Sequence, residues 1–346
     1  MSSRSMLAGL PLLFLTLTAQ TTAPPAPPAP PVAGAEVSVP VATGPLAAAI
    51  NAQGPALGDK AALKRQLVRA QVLLDRLHFS PGVVDGATGS NMRRALAAFQ
   101  TAEGLPVTST LDAATWDRLV ASSPAPAIRG YVIAAEDVAG PFAAPVTPGD
   151  YAEMASRKSM TWNSVTESLA ERAHMDEALL LAMNPGVDFS KAGSAIIVAD
   201  TARSPLPTVA SLVVDKTRKQ LRAMDAEGKI VAVYPATIGS SERPAPTGNF
   251  SVRAVAPAPN YTFDPGRLTF KAKGGKTDKL TVQPGPNNPV GSSWIDLSLD
   301  TYGIHGTPDP RLIGKTASHG CVRLTNWDAA TLAKAVKAGT KVQIKA

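Results

Sequence analysis

Apolar residues recur at spacings of three and four in stretches between Asp59 and Met183, and in short alternating runs from Ser211 onward. A chain with that change of period must build helices first and a sheet second. In the helical part, Leu63, Leu67, Ala70, Leu74 and Leu77 mark one face of a first helix. Met92, Ala95, Leu96 and Phe99 mark a second, and Trp116, Leu119 and Val120 a third. Ser90 and Thr110 are the expected caps of the second and third. Ser80-Pro81-Gly82 and Asp85-Gly86 are turn signals. Residues 59–122 therefore read as a small three-helix bundle.

A second helical stretch opens at the capping box Ser164-Val165-Thr166-Glu167, with Val165 and Leu169 on its apolar side. The next helix carries Leu179, Leu180 and Met183 and ends at Asn184-Pro185-Gly186; Ala195 to Ala199 is a strand. From Ser211, runs at Leu212–Val214, Gln220–Met224 and Ile230–Tyr234 form a meander, and Gly248 begins a further strand. Trp327 to Val336 is the one amphipathic helix of this part, and Val342-Gln343-Ile344 is a closing strand. Residues 208–346 are thus mostly β.

The remaining segments are connectors. Residues 20–58, with Pro-Pro pairs at Pro24, Pro27 and Pro30, bury no core and predict an extended, disordered tether. Residues 123–149, again rich in Pro, Ala and Gly, read as a linker. Residues 1–19 have the form of a secretory signal: Arg4, an apolar run from Met6 to Leu17, and small residues near Ala19. The run is shorter than the roughly 20 residues of a membrane span. A cleaved signal and an uncleaved anchor both fit; either exports the chain to the periplasm or cell envelope. A net charge of +7 suits an anionic partner such as cell-wall polymer. With no basic block or aromatic-interleaved patch, nucleic acid is not the expected partner.

Cys321 is the chain's single cysteine. In an exported protein it is buried and inert, paired with another chain, or a nucleophile. A thiol with its ordinary pKa near 8.5 needs a base or a positive neighbour to attack a carbonyl. His319, two residues away, leaves an extended backbone on the same face. His305, at the end of the apolar run Tyr302-Gly303-Ile304, can meet Cys321 across the fold. These positions alone leave open which ring takes the proton. Gly320 permits a tight turn in which the N–H groups of Gly320 and Cys321 face a developing oxyanion, an arrangement often worth about 3–4 kcal/mol. Arg323 either holds a substrate carboxylate or pairs with Asp309 or loop carbonyls. Four scattered histidines and one cysteine form no zinc set, so no metal or cofactor is expected.

The run from Leu77 to Gly86, with Ala98-Phe99-Gln100, Gly104-Leu105-Pro106 and Thr115-Trp116, resembles the peptidoglycan-binding domain found beside cell-wall enzymes. The helix–helix–strand order of 150–200 is similar to a divergent LysM module, a second small α+β peptidoglycan-recognition unit, although its usual first strand is not visible just before Ser164. His305-Gly306-Thr307 followed by Ser318-His319-Gly320-Cys321-Val322-Arg323-Leu324 resembles the signature of the L,D-transpeptidase catalytic domain. Pro244 to Phe250 and Pro284 to Gly291 match two further motifs of that family. The His305–Ser318 spacing is that of its Gram-negative-type members.

The resemblance implies a mostly-β, sandwich-like catalytic fold and cysteine acyl transfer. Cys321 would be the nucleophile, His305 the proton acceptor, and His319, Gly320 and Cys321 the frame of the oxyanion hole, with Ser318 supporting the loop. Gly306, Thr307 and Arg323 are the implied substrate-binding residues. The implied donor is a peptidoglycan tetrapeptide stem, which loses its terminal D-Ala, and the acceptor is a diamino-acid amine on a second stem, giving a 3→3 cross-link. Acylation by carbapenems is implied as well. Attachment of an envelope protein, or hydrolysis, shares the first half-reaction. A non-catalytic wall-binding protein and an intermolecular disulfide are the competing readings.

Overall fold

Helix α1 (Pro45–Ala52) begins on a proline, whose fixed φ suits a first helical turn, and buries Ala47 and Ile50. It belongs to the stretch expected as tether, but one apolar face is enough to dock it. Asn51 clips it to the backbone of Ile128 through two hydrogen bonds of 2.8 and 2.9 Å. The computed structural model describes residues 44–55, 59–240, 243–267, 279–318 and 320–346. The signal segment, most of the tether and His319 lie outside them. Among the described residues, no helix is long and apolar enough to cross a membrane.

Helix α2 (Lys60–Arg76) starts where the Asp59 carboxylate accepts from the N–H groups of Ala61 and Ala62, two donors its first turn leaves unpaired. It packs Leu67, Ala70, Leu73 and Leu74 against α3 (Ser90–Ala102) and α4 (Ala113–Ser122), with Met92, Phe99, Trp116 and Leu119 completing the core. Leu63, expected on the same face, is exposed. The caps also differ from expectation. Gly89 precedes α3 without a side-chain bond, leaving the Ser90 hydroxyl to accept from Arg94, and Asp112 rather than Thr110 caps α4. The Thr110 carbonyl instead accepts from Gln100, whose buried amide ties the α3–α4 loop down through four hydrogen bonds.

Within 123–149, read as a linker, Ile128–Val132 form strand β1. It pairs antiparallel with β2 (Ala195–Ala199), Ile128 opposite Ala199 and Val132 opposite Ala195. Short helices α5 (Ala135–Ala139) and α6 (Tyr151–Ser156) follow, then α7 (Val165–Arg172) and α8 (Glu177–Met183). Ser164 caps α7 as expected, while Glu167 reaches back one residue further, to the N–H of Asn163. Asn184, ending α8, bridges the Leu180 carbonyl and the backbone of Ile197, fastening the helices to β2.

The remaining strands are β3 (Ser211–Asp215), β4 (Gln220–Met224), β5 (Ile230–Pro235), β6 (Thr237–Ile238), β7 (Gly248–Pro257), β8 (Tyr261–Phe263), β9 (Leu280–Val282), β10 (Ser293–Leu297), β11 (Gly303–His305), β12 (Val322–Arg323) and β13 (Lys341–Lys345), with α9 (Asn326–Ala335) before the last. Nine described strands form one sheet in the order β5-β4-β3-β13-β7-β10-β11-β12-β6; β8 and β9 pair separately. β5 and β6 stand at opposite ends of that order, yet only Ala236 separates them in sequence. The sheet must therefore curl until its edges meet. The expected mostly-β fold is present, as one near-closed barrel rather than two stacked layers. Alternation sets its inside: Val342 and Ile344 are buried, whereas Lys341 and Gln343 are exposed.

The helical and β parts are packed into one another. Pro40–Ala346 form a single compact unit. Phe79 bridges Val233 on β5, the N–H of Ser80 donating to the Val233 carbonyl and the Val233 N–H to that of His78. Val84, a few residues on, bridges Met175 ahead of α8. A buried polar junction joins all three parts. Arg203 reaches Asp75 on α2 and Asp328 on α9, both at 3.4 Å. His174 lies 2.9 Å from Asp75 and stacks on Trp327, and Ser80 donates to Asp328 at 2.6 Å. Burial disfavours the Asp75 carboxylate, but His174 and Arg203 together outweigh it and hold its pKa low. Burial and neighbouring Asp75 push that of Asp328 up.

Candidate active site

Parallel pairing of β11 with β12 sets Ile304 opposite Val322 and His305 opposite Arg323, which brings Cys321 to the start of β12 beside Gly303. The Cys321 thiol is partly covered and free of any disulfide. Sγ lies 3.6 Å from the Thr301 carbonyl, and the Gly303 N–H donates toward it. Burial pushes the thiol pKa up, against the smaller pull of that N–H and of Arg323. At rest the sulfur therefore keeps its proton and needs a base.

His305 is the proton acceptor that the resemblance implies. It is buried, and its ring stacks on Trp294, its cross-strand partner on β10, with centroids 5.4 Å apart. Burial, and then the Arg323 charge, bring its pKa down to about 3, while the nearby Gly306 and Val290 carbonyls oppose that fall. The imidazole is thus neutral at physiological pH. Nδ1 lies 2.7 Å from the Gly306 carbonyl, which can only accept, so the ring proton sits on Nδ1 and Nε2 holds the lone pair.

The loop carrying the thiol is pinned from below. The Ser318 N–H donates to the Gly239 carbonyl, and its hydroxyl accepts from the Gly239 N–H and donates to the Cys321 carbonyl, both at 2.6 Å. Gly320 has φ +116°, and a Cβ there would come within 2.9 Å of the Tyr302 ring. Alanine at this position should cost about 1–3 kcal/mol of backbone strain before any repacking. We expect Gly320→Ala to lower both the melting temperature and kcat; wild-type values for both would refute the constraint.

Gly306 and Thr307, the implied substrate-binding residues, lie between His305 and Asn326. The Gly306 carbonyl is engaged by His305, and a Cβ on Gly306 would lie 2.1 Å from Asn326 Oδ1. The Thr307 N–H donates to that same oxygen at 3.0 Å, and its hydroxyl accepts from Asp309 at 3.2 Å. Arg323 does not pair with Asp309, which lies 3.8 Å from Arg311. Its Nε is buried without a partner among the described residues, and its charge acts on Cys321, His305 and Tyr261. Such a field suits an anionic ligand.

Asn326 is the residue the sequence reading missed. It stands between the cysteine motif and the helix read from Trp327. Its Oδ1 accepts from Ser292 and Thr307, and its Nδ2 donates to the Pro286 carbonyl and to Glu171 on α7. Trp294, stacked on His305, is another residue that the sequence reading does not name. Among the described residues no group of histidine, cysteine and acidic side chains is arranged to hold a metal.

The profile of the "L,D-transpeptidase catalytic domain" matches residues 210–344, and that of the "Putative peptidoglycan binding domain" matches residues 65–119. The "Putative L,D-transpeptidase YkuD" of Bacillus licheniformis is 31% identical over 180 residues, covering 51% of this chain and 92% of that protein. The "Probable L,D-transpeptidase ErfK/SrfK" of Escherichia coli is 33% identical over 168 residues, 48% of this chain and 54% of that one. Among solved structures, an L,D-transpeptidase from Mycobacterium smegmatis aligns with TM-score 0.33 at 18% identity, over 44% of this chain and 74% of that one.

Proposed function

The chain belongs to the L,D-transpeptidase family, a cysteine acyltransferase family acting on peptidoglycan stems, and from that premise we propose that Cys321 and His305 carry its reaction. The observation that supports this most is the β11–β12 register, which sets a protonated thiol and a neutral imidazole on neighbouring strands, with the ring proton held on Nδ1.

His305 Nε2 takes the Cys321 proton as Sγ attacks the carbonyl carbon of the stem's third, diamino-acid residue. The Gly320 and Cys321 N–H groups meet the oxyanion, and Arg323 holds a stem carboxylate. Collapse breaks the amide bond; the departing D-Ala amine takes the proton from His305, leaving a thioester on Sγ. A neutral diamino-acid amine then attacks the thioester and gives its proton to His305. Sγ leaves and is reprotonated, and a 3→3 cross-link remains. A carbapenem would enter at the first step, its opened ring held on Cys321.

The α2–α4 bundle presents the polymer to this site. Its finer companion is a LysM-like reading of the middle part, supported by β1, α7, α8 and β2 in strand–helix–helix–strand order, with α5 and α6 inserted after the first strand. The Arg4-led apolar start and the envelope substrate support export to the periplasm. Incubating the full chain with tetrapeptide stems should release D-Ala and form cross-linked dimer, both visible by mass spectrometry. Stems recovered unchanged would overturn the proposal.

A further inference from the structure

The Asn326 side chain leaves no doubt about which of its ends faces which neighbour. Two backbone N–H groups, of Ser292 at 3.1 Å and Thr307 at 3.0 Å, require its oxygen. Two acceptors, the Pro286 carbonyl and Glu171 Oε1, each at 3.0 Å, require its NH2. All four hydrogen-bonding positions of the amide are used. Thr307 follows Gly306, whose carbonyl sets the His305 tautomer. A continuous path of hydrogen bonds and one peptide unit thus runs from an α7 carboxylate, through Asn326, to the histidine.

Glu171 does not reach this position by chance packing. The segment just before α7 is stitched to the catalytic loop that supplies Pro286. Met160 donates to the Pro284 carbonyl and accepts from Asn287, and the Asn287 amide donates to the Thr161 carbonyl and to Glu167, both at 3.0 Å. On its other side Glu171 borders a cavity of about 190 Å³ shared with Glu167, Asp176, Glu177, Asp309 and Arg311.

We propose that Glu171 is a positioning residue of the active site, acting through Asn326 to hold the His305–Thr307 segment, so that the middle part of the chain belongs to the catalytic centre. This rests on the roles of Cys321 and His305 given above. An ionised carboxylate forms the stronger, charge-assisted bond to an amide; protonation weakens it. Burial pushes the Glu171 pKa up to about 7, with the negative charge of Glu167 adding to the rise, while Asn326 and the Trp162 indole pull the other way. The strong bond is therefore present above that pH and lost as pH falls through it. His305, down at about 3, cannot give an acid limb in this range.

The test is kcat and KM for stem acylation from pH 5.5 to 8.5 in the full chain, for wild type, Glu171→Gln and Glu171→Ala, with melting curves alongside. Wild type should show an acid limb centred near the Glu171 pKa of about 7. Glu171→Gln keeps the shape and an accepting oxygen, and should run at the reduced low-pH rate throughout, with that limb gone and KM little changed. Glu171→Ala should lose kcat by about 10–100-fold, by analogy with the loss when the hydrogen-bond partner that orients a metal-bound histidine is removed. A glutamine variant with wild-type kcat and an unchanged acid limb overturns the proposal, whatever the alanine variant does. Wild type that forms no acyl-enzyme at any pH overturns instead the reading on which it rests.

Discussion

Cys321→Ala should release no D-Ala, form no cross-linked dimer and gain no mass from a carbapenem, while melting close to wild type. The chemistry has no second thiol to fall back on, since Cys321 is the chain's only one. Removing the nucleophile of a hydrolytic triad costs on the order of 10⁶ in turnover, and a comparable loss is expected here. The stability cost is small because Sγ makes only weak contacts, at 3.6 Å to the Thr301 carbonyl and with the Gly303 N–H, and no disulfide is broken. Intact folding with total loss of product is the signature of a chemical role. A variant that still turned over stems would exclude Cys321 as the nucleophile, and one that failed to melt cooperatively would mark the cysteine as structural.

The largest stability effect is expected at Arg203, far from the reacting atoms. Its guanidinium is 8% exposed, and the two carboxylates it joins, on Asp75 and Asp328, are fully buried. Arg203→Met keeps the length and the apolar stem but takes the guanidinium from both carboxylates, leaving the His174 and His78 rings as the basic groups near Asp75. Breaking a buried ion pair from one side typically costs about 3–5 kcal/mol, because the orphaned charge has nowhere to be solvated. For a unit of this size, that loss lowers the melting temperature by on the order of 10 °C. Replacing Asp75 by Asn in the same chain should restore part of the loss, since it removes one of the two stranded charges. An Arg203→Met protein that melts like wild type would show that the junction is not holding the parts together.

Legibility in the sequence followed a physical line. Strands β3, β4, β5 and β13 were readable because period-two alternation and turn residues are local properties. So were α7 and α9, which carry their own caps in Ser164 and Thr325. Strand β1 was not, because Ile128-Arg129-Gly130-Tyr131-Val132 has little alternation and sits amid Pro and Ala. What makes it a strand is β2, far along the chain. At the candidate site, the sequence motif singled out Cys321, His305, Ser318 and Gly320, and the Ser318 hydroxyl bonds Gly239 and the Cys321 carbonyl. The Gly306 carbonyl, the Thr307 N–H and the Thr307 hydroxyl oxygen engage His305, Asn326 and Asp309, contacts that no local pattern in the sequence shows. Nothing local in the chain announces that Asn326 and Glu171 meet.

The bridge between Phe79 and Val233 also bears on how the protein avoids itself. Strand β5 ends the sheet order, and its Ile230-Val231-Ala232-Val233-Tyr234 run is the kind of apolar edge that recruits strands from neighbouring molecules. Here the outward N–H and carbonyl of Val233 are taken by His78 and Ser80, and α3 packs over the same strand. The wall-binding bundle thereby serves as a built-in guard against aggregation. Cutting the chain between bundle and barrel would free both a sticky edge and two buried acids. Full-length protein should therefore stay monodisperse at concentrations where residues 208–346 alone precipitate.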